Sequence, residues 1–385
     1  MNSLHSLKSL HGLKVISLEQ AVAAPLCTQR LVQAGAEVIK IERPQGDFAR
    51  YYDTAVAGQS AYFVWLNAGK KSVVLDLSIN QDKQSLLQLI NKSDVLVQNL
   101  KPGSLAGLGV DLDLLHAQRP AFISVSISGF SPDGPGYKRK AYDLLMQAES
   151  GLAQITGSAQ EPGRVGVSVV DIATGQFAYE AILQALLQRS ASSTGAKVDI
   201  SMFDAVAHWL AVPYLLDRYG GTAPKRVGLA HPGICPYGVF TSADGVSFIL
   251  SIQNEREWQR LCEVGIENSE LAADARCSDN PTRVANRVFV DATVQYAFAQ
   301  LDYCSISQRL DLADVAFAPV NEMSALKEHP DFHTETVRVG DQDVQLPRLP
   351  GSNGEQSALA KVPTLGEHTE DCLLYTSDAA DDSLR

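Results

Sequence analysis

Along the first half of the chain, short apolar runs of β character alternate with longer segments whose apolar positions recur near the helical period. Leu13–Leu18, Val38–Ile41, Ser72–Asp76, Asp94–Asn99 and Phe122–Ile127 read as strands rich in Val, Ile and Leu. Pro25 sits where a helix can begin, since proline is tolerated in a first helical turn, and Ala34 with Gly35 marks its end. A polar helix is expected over Asn80–Asn91. Strands spaced by helices of this length call for right-handed crossovers, so the pattern predicts an α/β fold with a Rossmann-like parallel sheet.

The pattern changes near Gly220–Pro224. Ser242–Gly245 has turn chemistry between two apolar runs and predicts a hairpin. Helices are expected from there to about Leu326, and strand-and-loop character from about Pro330. The expected division is residues 1–215 as the first part of a large Rossmann-like domain, 216–328 as a smaller α+β domain, and 329–371 as a return to the large one. Cys372–Asp381 resembles the one-frame translation of a transposase-type sequencing adapter. Residues 372–385 are therefore read as a non-native tail and given no functional role.

Composition narrows the function classes. The chain has 385 residues, 45% hydrophobic, which is enough for a substantial core and, at this length, two domains. A net charge of −12 argues against nucleic acid or an anionic membrane as partner. Local arginines and lysines can still hold an anionic small molecule. The six cysteines are scattered without a Cys-x-x-Cys pair, so neither a metal site nor a disulfide framework is expected, and a cytoplasmic setting fits. The apolar stretch Ala205–Leu216 is broken by His208 and Pro213 and is too short to span a bilayer. Met1–His11 lacks the apolar centre of a secretion signal. The turn after the first strand, Glu19–Ala24, carries no glycine fingerprint, which counts against a nicotinamide-dependent dehydrogenase.

Asp171 is the residue with the sharpest chemistry. Val165–Val170 reads as an apolar strand, and Phe177, Ile182, Leu183, Leu186 and Leu187 then recur at helical spacing. A carboxylate at such a junction meets free backbone N–H groups and the helix dipole, so it is expected to stay ionised at neutral pH. Its simplest role is an N-cap. A positioned, ionised carboxylate can also attack an acyl carbon.

Across residues 9–371 the chain resembles the class III CoA-transferases, the formyl-CoA transferase and carnitine CoA-transferase group. The resemblance is carried by Leu10–Leu18, Ala24-Pro25, Gly35–Pro44, Gly46-Asp47 and Arg50. It continues in order through Asn67, Lys70–Ser72, Leu75-Asp76, Asp94–Asn99, Pro102-Gly103, Tyr142-Asp143, Gly151, Asp171 and Gly175. It implies that Asp171 is a nucleophile, forming first an acyl anhydride and then a thioester to CoA, and that two chains interlock as a homodimer. No tightly bound cofactor and no metal are implied; coenzyme A and its thioesters are co-substrates. Arg43 is implied as a phosphate or adenine contact, with backbone near Leu75 and Asn99–Lys101 lining the same groove and Lys140 and Tyr142 flanking the pantetheine or diphosphate. Oxyanion donors are expected from backbone N–H groups near residue 171 and from a glycine-bearing loop.

The chain departs from that pattern at Val22, where better-studied members carry glutamine, and at Gly107, where they carry arginine; Lys101 is the candidate replacement for the phosphate contact. Gly228–Gly238 is similar to the His-Pro/Pro-Tyr-Gly loop of transferases that use succinyl-CoA and short dicarboxylates, with His231 a candidate acceptor contact. The expected function is thus CoA transfer from an acyl-CoA such as succinyl-CoA to a short, dicarboxylic acid. Two alternatives share the fold. An α-methylacyl-CoA racemase-like epimerase calls for a histidine upstream of the aspartate, but none lies between His116 and His208. A non-catalytic CoA-binding protein would have no need of Asp171.

Overall fold

Alternate residues of the expected strands fall on opposite faces of a six-stranded parallel sheet. Its strands are β1 (Lys14–Leu18), β2 (Glu37–Glu42), β3 (Lys71–Val74), β4 (Val95–Gln98), β5 (Ile123–Ser128) and β6 (Lys197–Ser201), in the order β3-β2-β1-β4-β5-β6. The last of these was not read from the sequence. The computed structural model describes residues 8–352 and 359–374. Helices α1 (Ala23–Gln33), α2 (Ala61–Asn67), α3 (Asn80–Asn91), α4 (Ser104–Gly107) and α5 (Leu112–Gln118) lie within the crossovers. Between β5 and β6 run α6 (Asp143–Glu149), α7 (Leu152–Ile155) and α8 (Val169–Ser192), and α9 (Met202–Trp209) follows β6.

One sheet face carries Val15, Val38, Val97 and Val125 against Leu31 of α1 and Ile182 of α8. The other carries Ile16, Ile41, Val73 and Leu96 against Leu86, Leu89 and Ile90 of α3. Burial on both faces explains why these strands read as continuous apolar runs. Strand order reverses between β1 and β4, so the crevice beyond their carboxyl ends is where ligands of such sheets bind.

The expected strand at Val165–Val170 does not form. Val169 and Val170 already belong to α8, with Ser168 as its N-cap residue. The preceding segment has no strand beside it, and its N–H groups go elsewhere: Val165 N–H to Gln147 Oε1 (2.9 Å) and Val169 N–H to the Val167 carbonyl (2.8 Å). Val170 is apolar because it packs with Met146, Met202 and Val206. Cys372 and Leu373, set aside with the tail, pack into the α3 face of the sheet; residues 375–385 of that tail lie outside the described residues.

Contacts divide the chain into two compact units. The first comprises Met1–Leu152, Val165–Ala211 and His333–Arg385, and the second Ala153–Arg164 and Val212–Phe332. The first also holds a small sheet of β10 (Thr334–Val339), β11 (Gln342–Pro347) and β12 (Ala360–Lys361). In the second, β7 (Tyr237–Thr241) and β8 (Ser247–Ser251) form the expected hairpin and β9 (Ala316–Pro319) pairs with β8. Helices α10 (Ala211–Gly220), α11 (Glu255–Arg260), α12 (Ser269–Ala273), α13 (Asn280–Ala285), α14 (Arg287–Phe298) and α15 (Tyr303–Ala313) accompany that sheet. Its core is Phe240, Phe248, Trp258, Phe298 and Leu310.

Candidate active site

The turn from β1 into α1 is held by side chains, not by glycine. Asn99, just past β4, accepts from the Gln20 N–H and donates to the Gln20 carbonyl, both at 2.9 Å. Asp47 Oδ1 accepts from the Ala21 N–H at 3.2 Å, and Ala21 is held at φ +61°, a conformation that costs free energy unless its surroundings enforce it. Beneath the turn lies a buried polar cluster. Glu19 pairs with Lys70 (2.7 Å) and Lys40 (3.5 Å), Lys40 with Asp47 (2.7 Å), and Thr28 donates to Glu19 (2.6 Å). Burial opposes ionisation of Glu19, but the Lys70 and Lys40 ammoniums outweigh it and hold its pKa below the ordinary carboxylate value.

The ends of these strands enclose a mainly apolar cleft of about 210 Å³, lined by Leu18, Gln20, Ile41, Arg43, Leu77 and Leu100 among others. Arg43 is exposed at its edge, with Nε donating to the Gly46 carbonyl at 2.9 Å. Leu75 itself is buried in the sheet core, its N–H on the Glu42 carbonyl; Leu77, two residues on, reaches the cleft. Lys101 and Lys140 are exposed. The first unit therefore brings Arg43 to the cleft and Asn99 to the turn behind it.

Asp171 stands in the first turn of α8 as its third residue, not as the N-cap. Every N–H of that turn is satisfied by another group: Val169 by the Val167 carbonyl, Val170 (2.7 Å) and Asp171 (3.3 Å) by Asp143 Oδ1, and Ile172 by the Ser168 carbonyl. Among the described residues no group donates to the Asp171 carboxylate. The expectation of a fully ionised Asp171 is therefore corrected. Burial, and then the Asp143 carboxylate, push it up to about 7. The N–H groups of Val170 and Asp171 are likewise not free to stabilise an oxyanion, because Asp143 already holds them.

Tyr142 is the N-cap residue of α6, directly before Asp143, and more than half exposed. Tyr52 lies within electrostatic reach of both Asp171 and Tyr142: burial, then Asp47 and Asp171, push its hydroxyl up to about 12. Tyr52 also meets Tyr62 edge-on at 5.6 Å, and the Tyr62 hydroxyl lies 3.2 Å from Ser168 Oγ. Asp143, Tyr52 and Tyr62 were not singled out as site residues from sequence. The pair Tyr142-Asp143 was quoted as a motif, but which of its residues reaches α8 depends on a rotamer that sequence spacing does not fix.

His231 belongs to the second unit. Its ring stacks on Tyr237 at 5.5 Å and 14°, and its Nδ1 accepts from the Gly233 N–H at 3.1 Å, which leaves the ring proton on Nε2. Arg287 braces this loop by donating to the His231 and Ile234 carbonyls. Among the described residues no cluster of His, Cys, Asp or Glu could hold a metal ion, and no helix is long and apolar enough to cross a membrane.

Residues 10–369 match the profile of CoA-transferase family III. An acetyl-CoA:oxalate CoA-transferase of Acetobacter aceti is 34% identical over 88% of this chain and 87% of its own. A succinyl-CoA:mesaconate CoA-transferase of Haloarcula hispanica is 31% identical over 95% of this chain and 96% of its own. The crystal structure of a CaiB/BaiF family protein from Brucella suis superposes with a TM-score of 0.81 at 30% identity, covering 96% of this chain and 99% of that one.

Proposed function

The chain belongs to CoA-transferase family III, and from that premise we propose that Asp171 is the nucleophile in moving CoA from succinyl-CoA or a similar acyl-CoA to a short dicarboxylic acid. The observation that carries this reading is the Asp171 carboxylate itself: largely buried, free of hydrogen-bond donors among the described residues, and poised near neutrality. Such a group is a stronger nucleophile than a solvated carboxylate, because no donor has to be stripped from it before attack.

In the reaction, Asp171 attacks the donor thioester carbonyl and expels CoA thiolate, leaving a mixed anhydride. The thiolate attacks the aspartyl carbonyl, releasing the donor's acid and storing CoA as an aspartyl thioester. An acceptor carboxylate reverses these two steps and departs as the new acyl-CoA. One activated acyl bond is exchanged for another at each stage, so no ATP is consumed. Arg43 and the cleft beside it are the proposed anchorage for the nucleotide end of CoA, with Leu75, Asn99 and Lys101 as backbone or side-chain contacts. Lys140 and Tyr142 are the proposed flanks of the pantetheine or diphosphate. His231 Nε2–H is the proposed donor to an acceptor carboxylate.

The relatives named for oxalate and mesaconate both use dicarboxylates, which supports that acceptor class. We propose an interlocked homodimer; the exposed Val212, Tyr214, Leu215, Leu216 and Tyr219 of α10 support a surface covered by a second copy. The free cysteines fit a cytoplasmic setting. The test is to incubate the protein with succinyl-CoA alone, then with mono- and dicarboxylic acids, and to follow it by mass spectrometry. An adduct at Asp171 cleaved by hydroxylamine, absent from D171A, is expected. Transfer that persists in D171A overturns the nucleophile, and activity confined to monocarboxylates overturns the acceptor class.

A further inference from the structure

An aspartate in the first turn of a helix ordinarily folds back onto the helix's free N–H groups and is stabilised there as an anion. Asp171 does not, because those N–H groups are taken by a carboxylate from another helix. Asp143 lies in the first turn of α6, and its Oδ1 accepts from both Val170 and Asp171 N–H. Its second oxygen is fixed as well. Gln147, one turn further along α6 and fully buried, donates from Nε2 to Asp143 Oδ2 at 2.7 Å. The other end of the same amide accepts from the Val165 N–H at 2.9 Å, so the Gln147 amide has one orientation only. The chain Val165–Gln147–Asp143–α8 thus ties the approach segment and the helix start to a single rotamer of Asp143.

We infer that Asp143 is a positioning residue for the transfer reaction: held by Gln147, it occupies the N-terminal N–H groups of α8 and so presents the Asp171 carboxylate bare to the acyl carbon. This rests on the reading of Asp171 as the nucleophile and goes beyond it, since Asp143 touches no substrate in the scheme. The geometry separates two tasks that one carboxylate cannot perform together. The α8 terminus needs an anion to satisfy its donors, and the nucleophile must be free of donors. Two carboxylates, one committed to each task, meet both needs.

The other titratable groups on elements packed against α8 do not substitute for Asp143. Arg30 of α1 lies over the Tyr179 ring and His208 of α9 against Phe177, both further along the helix. Asp204 lies in the first turn of α9, and Lys197 and Asp199 lie on β6, with Lys197 paired to Asp113. Tyr52 lies within electrostatic reach of Asp171, but its raised hydroxyl carries no charge to hold the helix N–H groups. Burial and the Asp143 charge are what act on Asp171 among the described residues.

The experiment titrates Asp171 directly in the full-length protein. Aspartate is labelled with carbon-13 at the side-chain carboxyl, and the Asp171 signal is identified as the one missing from D171N. Its midpoint is then followed in wild type, Asp143→Asn and Gln147→Met. In Asp143→Asn the midpoint is expected to fall by about one pH unit or more, as the like charge leaves and a neutral amide, whose oxygen holds the helix N–H groups more weakly and whose NH2 opposes the Gln147 donor, takes its place. Gln147→Met frees the Asp143 rotamer and should move it the same way by less. The acid limb of kcat/KM for the acyl-CoA donor should shift with the midpoint, and the plateau should fall about tenfold as the carboxylate becomes a poorer nucleophile.

A merely structural role for Asp143 lowers the melting temperature and leaves the midpoint in place; that result overturns the inference. If Asp143→Asn does not fold, an unmoved midpoint in Gln147→Met overturns it equally. Transfer activity in D171N defeats the nucleophile reading instead, and the titration distinguishes the two failures because it needs no turnover.

Discussion

Gly175 of α8 faces the Ala23 carbonyl oxygen so closely that a Cβ there would lie 2.5 Å from it, with Leu26 Cδ2 at 2.8 Å. The helix that carries Asp171 therefore rests directly on the backbone of α1, one turn past the carboxylate. In an exposed helix, Gly→Ala stabilises by up to about 1 kcal/mol. Here the sign reverses, because the obstacle is backbone and cannot swing aside. Gly175→Ala is expected to destabilise the protein by about 1–3 kcal/mol in urea unfolding. A neutral or stabilising result means the two helices do not meet this closely.

Asp171 makes stability depend on pH in a particular direction. Its folded value of about 7 lies above the ordinary 3.8, so the native state binds the extra proton between those values. The contribution is fully present below about pH 4 and is lost as pH rises through 7. D171N has no charge to bury and escapes that loss. Relative to wild type it should gain roughly 2–4 kcal/mol between pH 4 and pH 8, read as a widening difference in melting temperature. A difference that stays constant with pH contradicts the burial of a charged Asp171.

The buried cluster under the first turn gives a third expectation. Glu19 is the acidic partner of Lys70, whose ammonium also donates to the Pro25 carbonyl at 3.0 Å. Burial already lowers Lys70 to about 8, with Glu19 working against that fall. Glu19→Ala leaves a buried ammonium without its counter-ion and should cost about 3–5 kcal/mol near pH 7. The deficit should shrink as pH rises toward 8, because without Glu19 the Lys70 ammonium discharges below that value and the orphaned charge disappears. A penalty that grows with pH in denaturant titrations rules out this pairing.

The sheet was legible because its strands bury both faces and so read as apolar runs; Lys14–Leu18 and Asn80–Asn91 fall within a residue of expectation. Lys197–Ser201 was missed because this last strand alternates with polar residues, as an edge strand does. Val165–Val170 was misread because apolar β-branched residues signal burial; Val169 and Val170 pack against α6 and α9 with no ladder, and Val167 is exposed. Asp171 was visible as a carboxylate at a helix start. That its N–H groups belong to Asp143, twenty-eight positions earlier, depends on how α6 meets α8. Nothing in local spacing carries that information.

Asn99 closes the switch point of the sheet by pairing both atoms of its amide with the Gln20 backbone. The pair joins the ends of β1 and β4, whose next neighbours in the cleft are Leu18 and Leu100. Asn99→Ala removes two hydrogen bonds, about 1–2 kcal/mol of stability, and releases a turn whose Ala21 is held at positive φ. Asn99→Asp is the harsher change, because a carboxylate oxygen then faces the Gln20 carbonyl that Nδ2 had satisfied. The turn shapes the cleft and not the Asp171 carboxylate, so the kinetic effects should divide. KM for the acyl-CoA donor is expected to rise about tenfold in Asn99→Ala, with kcat changed less than threefold, since loose ground-state and transition-state binding are lost together. Steady-state kinetics with donor varied at saturating acid decides the matter. If kcat falls while KM holds, the turn acts on the chemistry at α8 and the cleft is not where the coenzyme is held.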